Sequence, residues 1–274
     1  MKRPTLFIGC DGLYFNDEAE IPVPSLLINS PPPCIFLSIC HPQPDCAEKI
    51  RQWQILAPEV TIEYETYTRD LTALSANEKK AFFANYRFIR LHEFVRRSAK
   101  DVFFLDVDSL VRNDLTQLSQ HFANSDIAIR LRLDSKKIKF KLLAGGIYIQ
   151  HNAISLAFLN RLAKRLHNNQ RWFADQIALY HSLRWTRGLR ISDLNQTYFD
   201  WEFEDHALIW TGKGERKFTN AKYVSYAEQL LTQFRTQSAN APHQAILTKP
   251  QPEPLVNIWR PAYMLKFFKT ILGK

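Results

Sequence analysis

Short apolar runs of the β type alternate with longer helical segments along most of this sequence. The apolar runs predict strands at residues 5–10, 35–40, 60–65, 102–106, 126–131 and 146–150. Helical spacing predicts helices at residues 44–56, 76–98, 153–167 and 172–184. This alternation predicts an α/β fold in which helices cover both faces of a mixed, mostly parallel sheet.

The segment 76–98 carries the strongest helix signals. Ser75 and Glu78 have the spacing of a capping box, which satisfies two backbone donors at the start of a helix. Apolar side chains at helical spacing predict the buried face of this helix, namely Phe82, Tyr86, Ile89 and Phe94.

Two carboxylates follow the apolar run that begins at Val102. The run ends at Asp106, and Asp108 comes two residues later. In open α/β sheets, ligands bind at the carboxyl ends of the strands. Mg²⁺ and Mn²⁺ prefer oxygen ligands and leave room for substrate phosphates. The pair therefore predicts a divalent-metal site beside a diphosphate, with solvated turn or helix-cap aspartates as the alternative.

Two earlier segments offer groups that suit a nucleotide. Cys10, Asp11 and Tyr14 come at the end of the first strand, where a carboxylate can bind a hydroxyl and a tyrosine can stack on a base. An Asx turn followed by a core tyrosine is the alternative. Arg87, on the long helix, offers a fork of donors for phosphate, although a solvated helix face would also explain it.

Three later segments add candidates. Gly145 and Gly146 open a predicted strand and permit a close backbone approach to a ligand, unless they mark a bulge. Asp175 and Gln176 lie in the first turn of a predicted helix, where capping is the alternative role. The basic, glycine-containing segment 211–217 can wrap a diphosphate or form an exposed hairpin turn.

Taken together, these motifs resemble the GT-A glycosyltransferases, and most closely the family 8-like group, which uses nucleotide-sugar donors and carries an Asp-X-Asp motif. The resemblance covers about residues 5–225. It implies a Rossmann-like GT-A fold and an enzyme that transfers a sugar from a nucleotide sugar to a glycan or glycolipid, with retention and with Mn²⁺ or Mg²⁺. Cell-surface polysaccharide or lipopolysaccharide is the implied product.

The resemblance also implies roles for individual residues. The nucleotide-sugar site would comprise Cys10, Asp11, Tyr14, Arg87, Asp106, Gly145, Gly146, Gly214 and Lys217. Asp106 and Asp108 would bind the metal, and Lys217 would hold the leaving diphosphate. Asp175 and Gln176 would contact the donor sugar and the acceptor as the catalytic pair.

One position departs from the family pattern. The family's late motif is His-X-X-Gly-X-X-Lys, in which the histidine binds the metal. Gly214 and Lys217 fit this motif, but Thr211 stands at the histidine position. The identity of the metal's last protein ligand is therefore open.

Composition and charge set broader limits. The 274 residues, 46% of them hydrophobic, suit one large globular domain, and the net charge of +9 favours an anionic partner. The stretch before Gly145 is basic, and its cations are Arg130, Arg132, Lys137, Lys139 and Lys141. In an extended segment the three lysines would share one side, which suggests a phosphorylated or acidic acceptor, with a solvated strand face as the alternative. The four cysteines form no zinc pattern, and reduced thiols are expected.

The C-terminal part changes character. We predict a catalytic domain at residues 1–236, a linker at 237–257 and a basic amphipathic tail at 258–274. The tail suits an anionic membrane surface or a helix docked on the protein's own core. No run approaches the length of a transmembrane helix, and the apolar part of residues 5–10 is too short for a signal peptide. We expect a cytoplasmic protein, peripheral on the inner face of the membrane.

Two other functions fit parts of the sequence. A metal-dependent enzyme acting on nucleic acid would explain the charge and the aspartate pair, but no further acidic cluster lies near Asp108. A non-catalytic basic module that binds membrane or nucleic acid would explain the charge alone. The glycosyltransferase hypothesis accounts for more of the motifs, and it predicts no nucleic-acid partner.

Overall fold

A computed structural model describes residues 3–167, 169–212 and 214–239. Its strands are β1 Thr5–Asp11, β2 Cys34–Cys40, β3 Thr61–Tyr67, β4 Val102–Leu105, β5 Ser109–Val111, β6 Ile127–Leu131, β7 Leu142–Ile149, β8 Ile191–Asp193, β9 Phe199–Asp200 and β10 Ile209–Thr211. Its helices are α1 Gly12–Glu18, α2 Pro22–Asn29, α3 Cys46–Leu56, α4 Ala76–Ser98, α5 Leu118–His121, α6 Ala153–Leu166, α7 Ala174–Trp185, α8 Arg216–Thr219 and α9 Ala221–Ala239.

A seven-stranded sheet forms the centre, in the order β3-β2-β1-β4-β7-β6-β8. The strands from β3 to β4 are parallel, and β6 and β8 are parallel to each other. Only β7 runs against its two neighbours, β4 and β6. The predicted mixed, mostly parallel sheet is confirmed. All six predicted strands and all four predicted helices are present, and every one except the helix at 76–98 has at least one shifted end.

The core lies on both faces of this sheet. One cluster packs beneath α1, α2 and α3, with Phe15, Ile50 and Trp53 among its members. The other packs beneath α4, α6 and α7, and it includes Phe88 and Phe158. A small second sheet, in the order β5-β10-β9, packs against α9. The sheet is therefore covered on both faces, as the alternating sequence pattern predicts.

The buried face of α4 agrees with the prediction in part. The helix spans the predicted residues and begins at the predicted capping box, but Ala81, Asn85 and Phe88 face the core. Of the predicted positions, Phe94 lies in the core and Ile89 packs against it. Phe82 and Tyr86 are only half-buried, and their rings stack on each other 5.4 Å apart. The helix therefore carries an aromatic stripe beside its core stripe.

The two glycines Gly145 and Gly146 were predicted to open a strand, but they lie inside it, because β7 begins at Leu142. The pairing of β6 with β7 shifts register here: Ile129 faces Ile147, whereas Arg130 faces Leu143. The residues between them bulge away from β6, which is the alternative that glycines in a strand suggest.

The predicted boundary at residue 236 falls within α9, and the tail at 258–274 and most of the predicted linker lie outside the described residues. Among the described helices, none combines the length and the apolar content that a membrane crossing requires.

Candidate functional site

Candidate side chains from four parts of the chain lie near the carboxyl ends of β1 and β4. Asp11 ends β1, Asp106 follows β4, Arg87 lies on α4, and Asp175 lies in the first turn of α7. Because β1 and β4 are adjacent and parallel, their carboxyl ends lie at the same sheet edge. This is the edge at which open α/β sheets bind ligands.

The guanidinium of Arg87 links the two central carboxylates. Its Nη1 pairs with Oδ1 of Asp106, and its Nη2 donates to Oδ2 of Asp175 at 3.1 Å. Nε donates to the backbone carbonyl of Ala84 at 3.1 Å. The side chains of Arg87 and Asp175 are largely buried. Because this largely buried guanidinium bridges the two carboxylates, it holds Asp106 and Asp175 at a fixed separation.

Gly9 of β1 lets α4 come close enough for this bridge. A Cβ atom built at Gly9 would lie 2.9 Å from Cβ of Arg87, which is closer than side chains pack. The missing side chain therefore lets the helix lie directly against the strand, and Arg87 reaches the sheet edge from there.

Asp106 is positioned by the bulge in β7. Its backbone N–H donates to the carbonyl of Gly145 at 2.7 Å. A Cβ atom at Gly145 would lie 3.0 Å from Oδ2 of Asp106, whereas a Cβ atom at Gly146 would lie 2.8 Å from the ring of Phe199. The nearest contacts of the two glycines differ: Gly145 borders the carboxylate first and the Phe199 ring at 3.2 Å, whereas Gly146 borders the Phe199 ring alone.

Asp108 lies deeper than Asp106. Its backbone carbonyl accepts from the N–H of Gly212 at 2.8 Å and from the hydroxyl of Tyr223 at 3.2 Å. Its Oδ1 is buried and has no hydrogen-bond partner among the described residues. Burial raises the pKa of the Asp108 carboxyl above its ordinary value, although the nearby Lys217 ammonium acts in the opposite direction. An orphaned carboxylate oxygen of this kind is open to a further ligand.

Lys217 lies next to Asp108 and is already paired. Its Nζ donates to Oε1 of Glu18 at 2.5 Å, and both side chains are buried. The pair ties α8 to α1. The sequence identified Lys217 but missed Glu18, which no local motif distinguishes and which lies 199 residues away. The alternative of an exposed hairpin for 211–217 is wrong, because Thr211 is buried in β10 and Lys217 is buried in α8.

The candidates at the end of the first strand are Cys10, Asp11 and Tyr14, and Tyr14 lies near Lys217. The carboxylate of Asp11 caps α1 by accepting from the N–H groups of Leu13 and Tyr14 at 3.0 and 3.1 Å. Burial raises the pKa of Asp11, and it raises the pKa of the Cys10 thiol far more. The ring of Tyr14 is 51% exposed, and its centroid lies 5.6 Å from Nζ of Lys217. An exposed ring beside a lysine suits stacking on a base.

Two further candidates have distinct surroundings. Gln176 is buried, and its Oε1 has no partner among the described residues. Gly214 is exposed at a φ of +73°, and a Cβ atom there would meet nothing within 4 Å. Gly214 therefore serves the backbone turn that leads into α8 rather than a close packing contact.

The basic residues before Gly145 are not aligned as predicted. We expected Lys137, Lys139 and Lys141 to share one side of an extended segment, but Ile138–Phe140 form a 3₁₀ turn. Nζ of Lys139 lies 4.3 Å from the ring centroid of Phe173, and Nζ of Lys141 donates to the carbonyl of Leu133 at 3.1 Å. The predicted alignment of these lysines is wrong, because the turn rotates successive side chains apart.

The protein itself supplies only part of a divalent-metal site. Among the described residues, no group of three or more His, Cys, Asp or Glu side chains could hold a metal. Asp106 and Asp108, with its orphaned Oδ1, supply carboxylate oxygens. Mg²⁺ sites commonly use one or two carboxylates and complete their shell with water and substrate phosphates. The residues therefore fit an ion that binds together with a diphosphate.

No family model matches the sequence, and no curated protein matches it. Solved structures share the fold. They include the apo form of the glycosyltransferase GlyE of Streptococcus pneumoniae TIGR4, at 16% identity and a TM-score of 0.56 over 88% of this chain and 65% of that chain. Galactosyltransferase LgtC in complex with donor and acceptor sugar analogs matches at 14% identity and a TM-score of 0.58, over 90% of this chain and 98% of that chain.

An active-site mutant of LgtC matches at 13% identity and a TM-score of 0.60, over 88% of this chain and 98% of that chain. This chain spans 65% of the length of GlyE. At such identities the likeness concerns the fold. The protein has the GT-A fold of glycosyltransferases, as the sequence motifs predict.

Proposed function

We propose that this protein is a glycosyltransferase that moves a sugar from a nucleotide-sugar donor to a glycan or glycolipid acceptor. The observation that carries the proposal is the Arg87 bridge between Asp106 and Asp175, at the ligand-binding edge of a GT-A fold. Sequence segments that are far apart supply these three groups, and each segment by itself has a pattern that suits donor binding.

The donor would lie across the carboxyl ends of β1 and β4. Tyr14 would stack on the base, and Asp11, with Cys10 beside it, would line the nucleoside pocket. Gly145 would let the donor sugar approach the backbone next to Asp106. These contacts are short-range and directional, so they determine the orientation of the donor.

Asp106 and Asp108 would hold Mn²⁺ or Mg²⁺ together with the donor's diphosphate. A divalent ion there offsets the negative charge that develops on the leaving diphosphate. Lys217 would add a second positive charge, because its ammonium lies beside Asp108 on the same side as Tyr14. To reach the phosphate, Lys217 would exchange its contact with Glu18 for one with the donor.

Asp175 and Gln176 would act at the reacting sugar. Arg87 donates a hydrogen bond to the carboxylate of Asp175 and so fixes its orientation. The free Oε1 of Gln176 can accept a hydrogen bond from a sugar hydroxyl. Retention at the anomeric carbon follows from the family resemblance, and no nucleophile is assigned.

A donor-turnover assay tests this function. The full chain is incubated with a panel of nucleotide sugars and Mn²⁺, and release of nucleoside diphosphate is measured with and without acceptor glycans. We expect release with at least one donor, and a loss of about a hundredfold or more in Asp108→Asn. Asp134→Asn, which removes an exposed carboxylate, serves as the matched control.

Two results would refute the proposal. One is an absence of turnover with every donor. The other is equal turnover by Asp108→Asn and Asp134→Asn. Cleavage of nucleic acid that depends on Asp108 would instead support the metal-dependent nuclease alternative. The acceptor class, the inner membrane face as location and the membrane role of residues 258–274 stay predictions.

A further inference from the structure

Charge and exposed apolar surface concentrate in one part of the chain. Residues 135–192 contain eleven lysine and arginine residues but a single acidic residue, Asp175, which is buried. Of the ten large hydrophobic side chains that are exposed in the described ranges, seven lie between residues 133 and 191. A surface that is both cationic and apolar differs from an ordinary solvated face, which is polar and of mixed sign.

Two adjoining cavities open on this part of the surface, where α6 ends and α7 begins. The first, of about 570 Å³, has a polar lining that includes Arg165, His167 and Arg171. The second, of about 460 Å³, shares Arg165 and Arg171 and adds Trp172 and Ile177. The guanidinium groups of Arg165 and Arg171 therefore lie between a polar cavity and a more apolar one.

An apolar stripe runs along the outer side of α7. Ile177, His181 and Trp185 are spaced four residues apart, so they lie on one face of the helix. Trp172 and Trp185 are 54% and 50% exposed, and Ile177 is 38% exposed. The guanidinium of Arg165, on α6, lies 4.5 Å from the ring centroid of Trp185.

The cations beside this stripe are available to a ligand. Within the described ranges, neither Arg165 nor Arg171 takes part in an ion pair. The carboxylate of Glu78 also lines the polar cavity, but it is already engaged by the N–H and hydroxyl of Ser75. Because two arginines face this single carboxylate, the lining of the cavity has a net positive charge.

We propose that this surface docks on an anionic lipid membrane. We call it the α6–α7 face and define it by Arg165, Arg171, Trp172, Ile177 and Trp185. Arg165 and Arg171 bind lipid phosphate groups, while the two indoles and Ile177 enter the interfacial layer. A soluble acidic polysaccharide or a nucleic acid would match the charge, but it would leave the exposed isoleucine without a partner.

Docking through this face has a consequence for the candidate active site. Asp175 and Gln176 lie on the inner side of the first turn of α7, next to Ile177 on its outer side. A membrane-bound α7 holds that site close to the lipid surface, where a glycolipid acceptor would be presented. This consequence rests on the proposed function, whereas docking itself does not.

Vesicle co-sedimentation of the full chain tests the proposal without any donor or acceptor. The vesicles are phosphatidylcholine alone or phosphatidylcholine mixed with phosphatidylglycerol. We expect binding to the mixed vesicles only, weakened about tenfold or more in Arg165→Glu/Arg171→Glu and also weakened in Trp172→Ala/Trp185→Ala. The control is Lys222→Glu/Arg235→Glu, which makes the same charge change on exposed residues of α9 and should bind like the wild type.

Thermal unfolding of every variant shows whether it is folded, and the predicted tail at 258–274 is present in all of them. The proposal is overturned if the arginine and tryptophan variants both bind vesicles as the wild type does. It is also overturned if the α9 control loses as much binding as they do. An absence of wild-type binding overturns it as well. Displacement from vesicles by millimolar inorganic phosphate, or tighter binding to dextran sulfate than to vesicles, would also overturn it, because the ligand would then be a soluble anion.

Discussion

Arg87 holds the candidate site together at the level of single residues. Its planar fork reaches two carboxylates at once, and a lysine ammonium cannot reproduce this geometry. We expect Arg87→Lys to lower kcat/KM for the donor by about a hundredfold and to cost about 1–3 kcal/mol of stability. Donor turnover and urea unfolding measure the two effects.

Arg96→Lys is the matched control for this change, because Arg96 is exposed on the same helix. It should leave both quantities close to those of the wild type. If Arg87→Lys behaved like Arg96→Lys in turnover, the bridge would not position the reacting groups.

The buried pair of Lys217 and Glu18 provides a second residue-scale prediction. Lys217→Met leaves the Glu18 carboxylate buried without its cation, which should cost about 3–5 kcal/mol. Adding Glu18→Gln removes the uncompensated charge, so the double variant should be more stable than Lys217→Met alone. Chemical unfolding of the two single variants and the double variant measures the coupling. Strictly additive losses would show that the two side chains do not interact.

The sequence predicts some of these residues and misses others for a physical reason. Asp106, Arg87 and Asp175 belong to recognisable local patterns, and parallel strands bring such ends to one edge. Glu18 and Tyr223 belong to no such pattern. Each acts through one contact with a distant part of the chain, which only the folded structure supplies.

At the level of elements, the two glycines of β7 should respond differently to the same change. A Cβ atom at Gly146 meets the buried ring of Phe199, so Gly146→Ala should lower stability by about 1–3 kcal/mol. A Cβ atom at Gly145 is nearest the carboxylate of Asp106 and lies farther from the Phe199 ring, at 3.2 Å. Gly145→Ala should therefore lower stability less than Gly146→Ala does and lower donor turnover more. Unfolding curves and turnover of both variants measure this. If both variants lost stability and turnover to the same extent, the two glycines would not differ in their contacts as proposed.

Most of the elements that the sequence predicted have long, periodic patterns, although the 19-residue helix α9 was not predicted. The extent of α4 follows from its capping box and its helical spacing, but the choice between its two apolar stripes depends on tertiary packing. The helix α2 was missed because Pro22 and Pro24 look like a loop, although proline is well tolerated in the first turn of a helix. The unpredicted strands β5, β8, β9 and β10 have two or three residues each, too few for a visible period.

At the level of the whole molecule, His92 links stability to pH. Burial, together with the charges of Arg96 and Lys164, lowers the pKa of its imidazole from 6.5 to about 4. The unfolded chain takes up this proton near pH 6.5, whereas the folded protein does so only near pH 4. The contribution of His92 to the free energy of unfolding is therefore greatest above pH 6.5, and it declines as the pH falls toward 4.

The contribution of His92 can be isolated with His92→Gln, which does not titrate. Between pH 7 and about 4, the free energy of unfolding should fall on the order of 1–2 kcal/mol more in the wild type than in this variant. The expected difference is this small because the ring is only half-buried, so solvent screens part of the effect. Urea unfolding at a series of pH values measures the difference. Parallel pH profiles would show that His92 titrates normally in the folded protein.

A nucleotide sugar is expected to bind at the sheet edge between Asp11, Asp106 and Asp175. A thermal-shift screen of the full chain against nucleotide sugars, with and without Mn²⁺, tests this most directly. A saturating donor with Mn²⁺ should raise Tm by about 5–10 °C in the wild type and in Asp134→Asn, and far less in Asp108→Asn. If no nucleotide sugar raised Tm, or if Asp108→Asn responded like the wild type, the assignment of this site to a glycosyl donor would be contradicted.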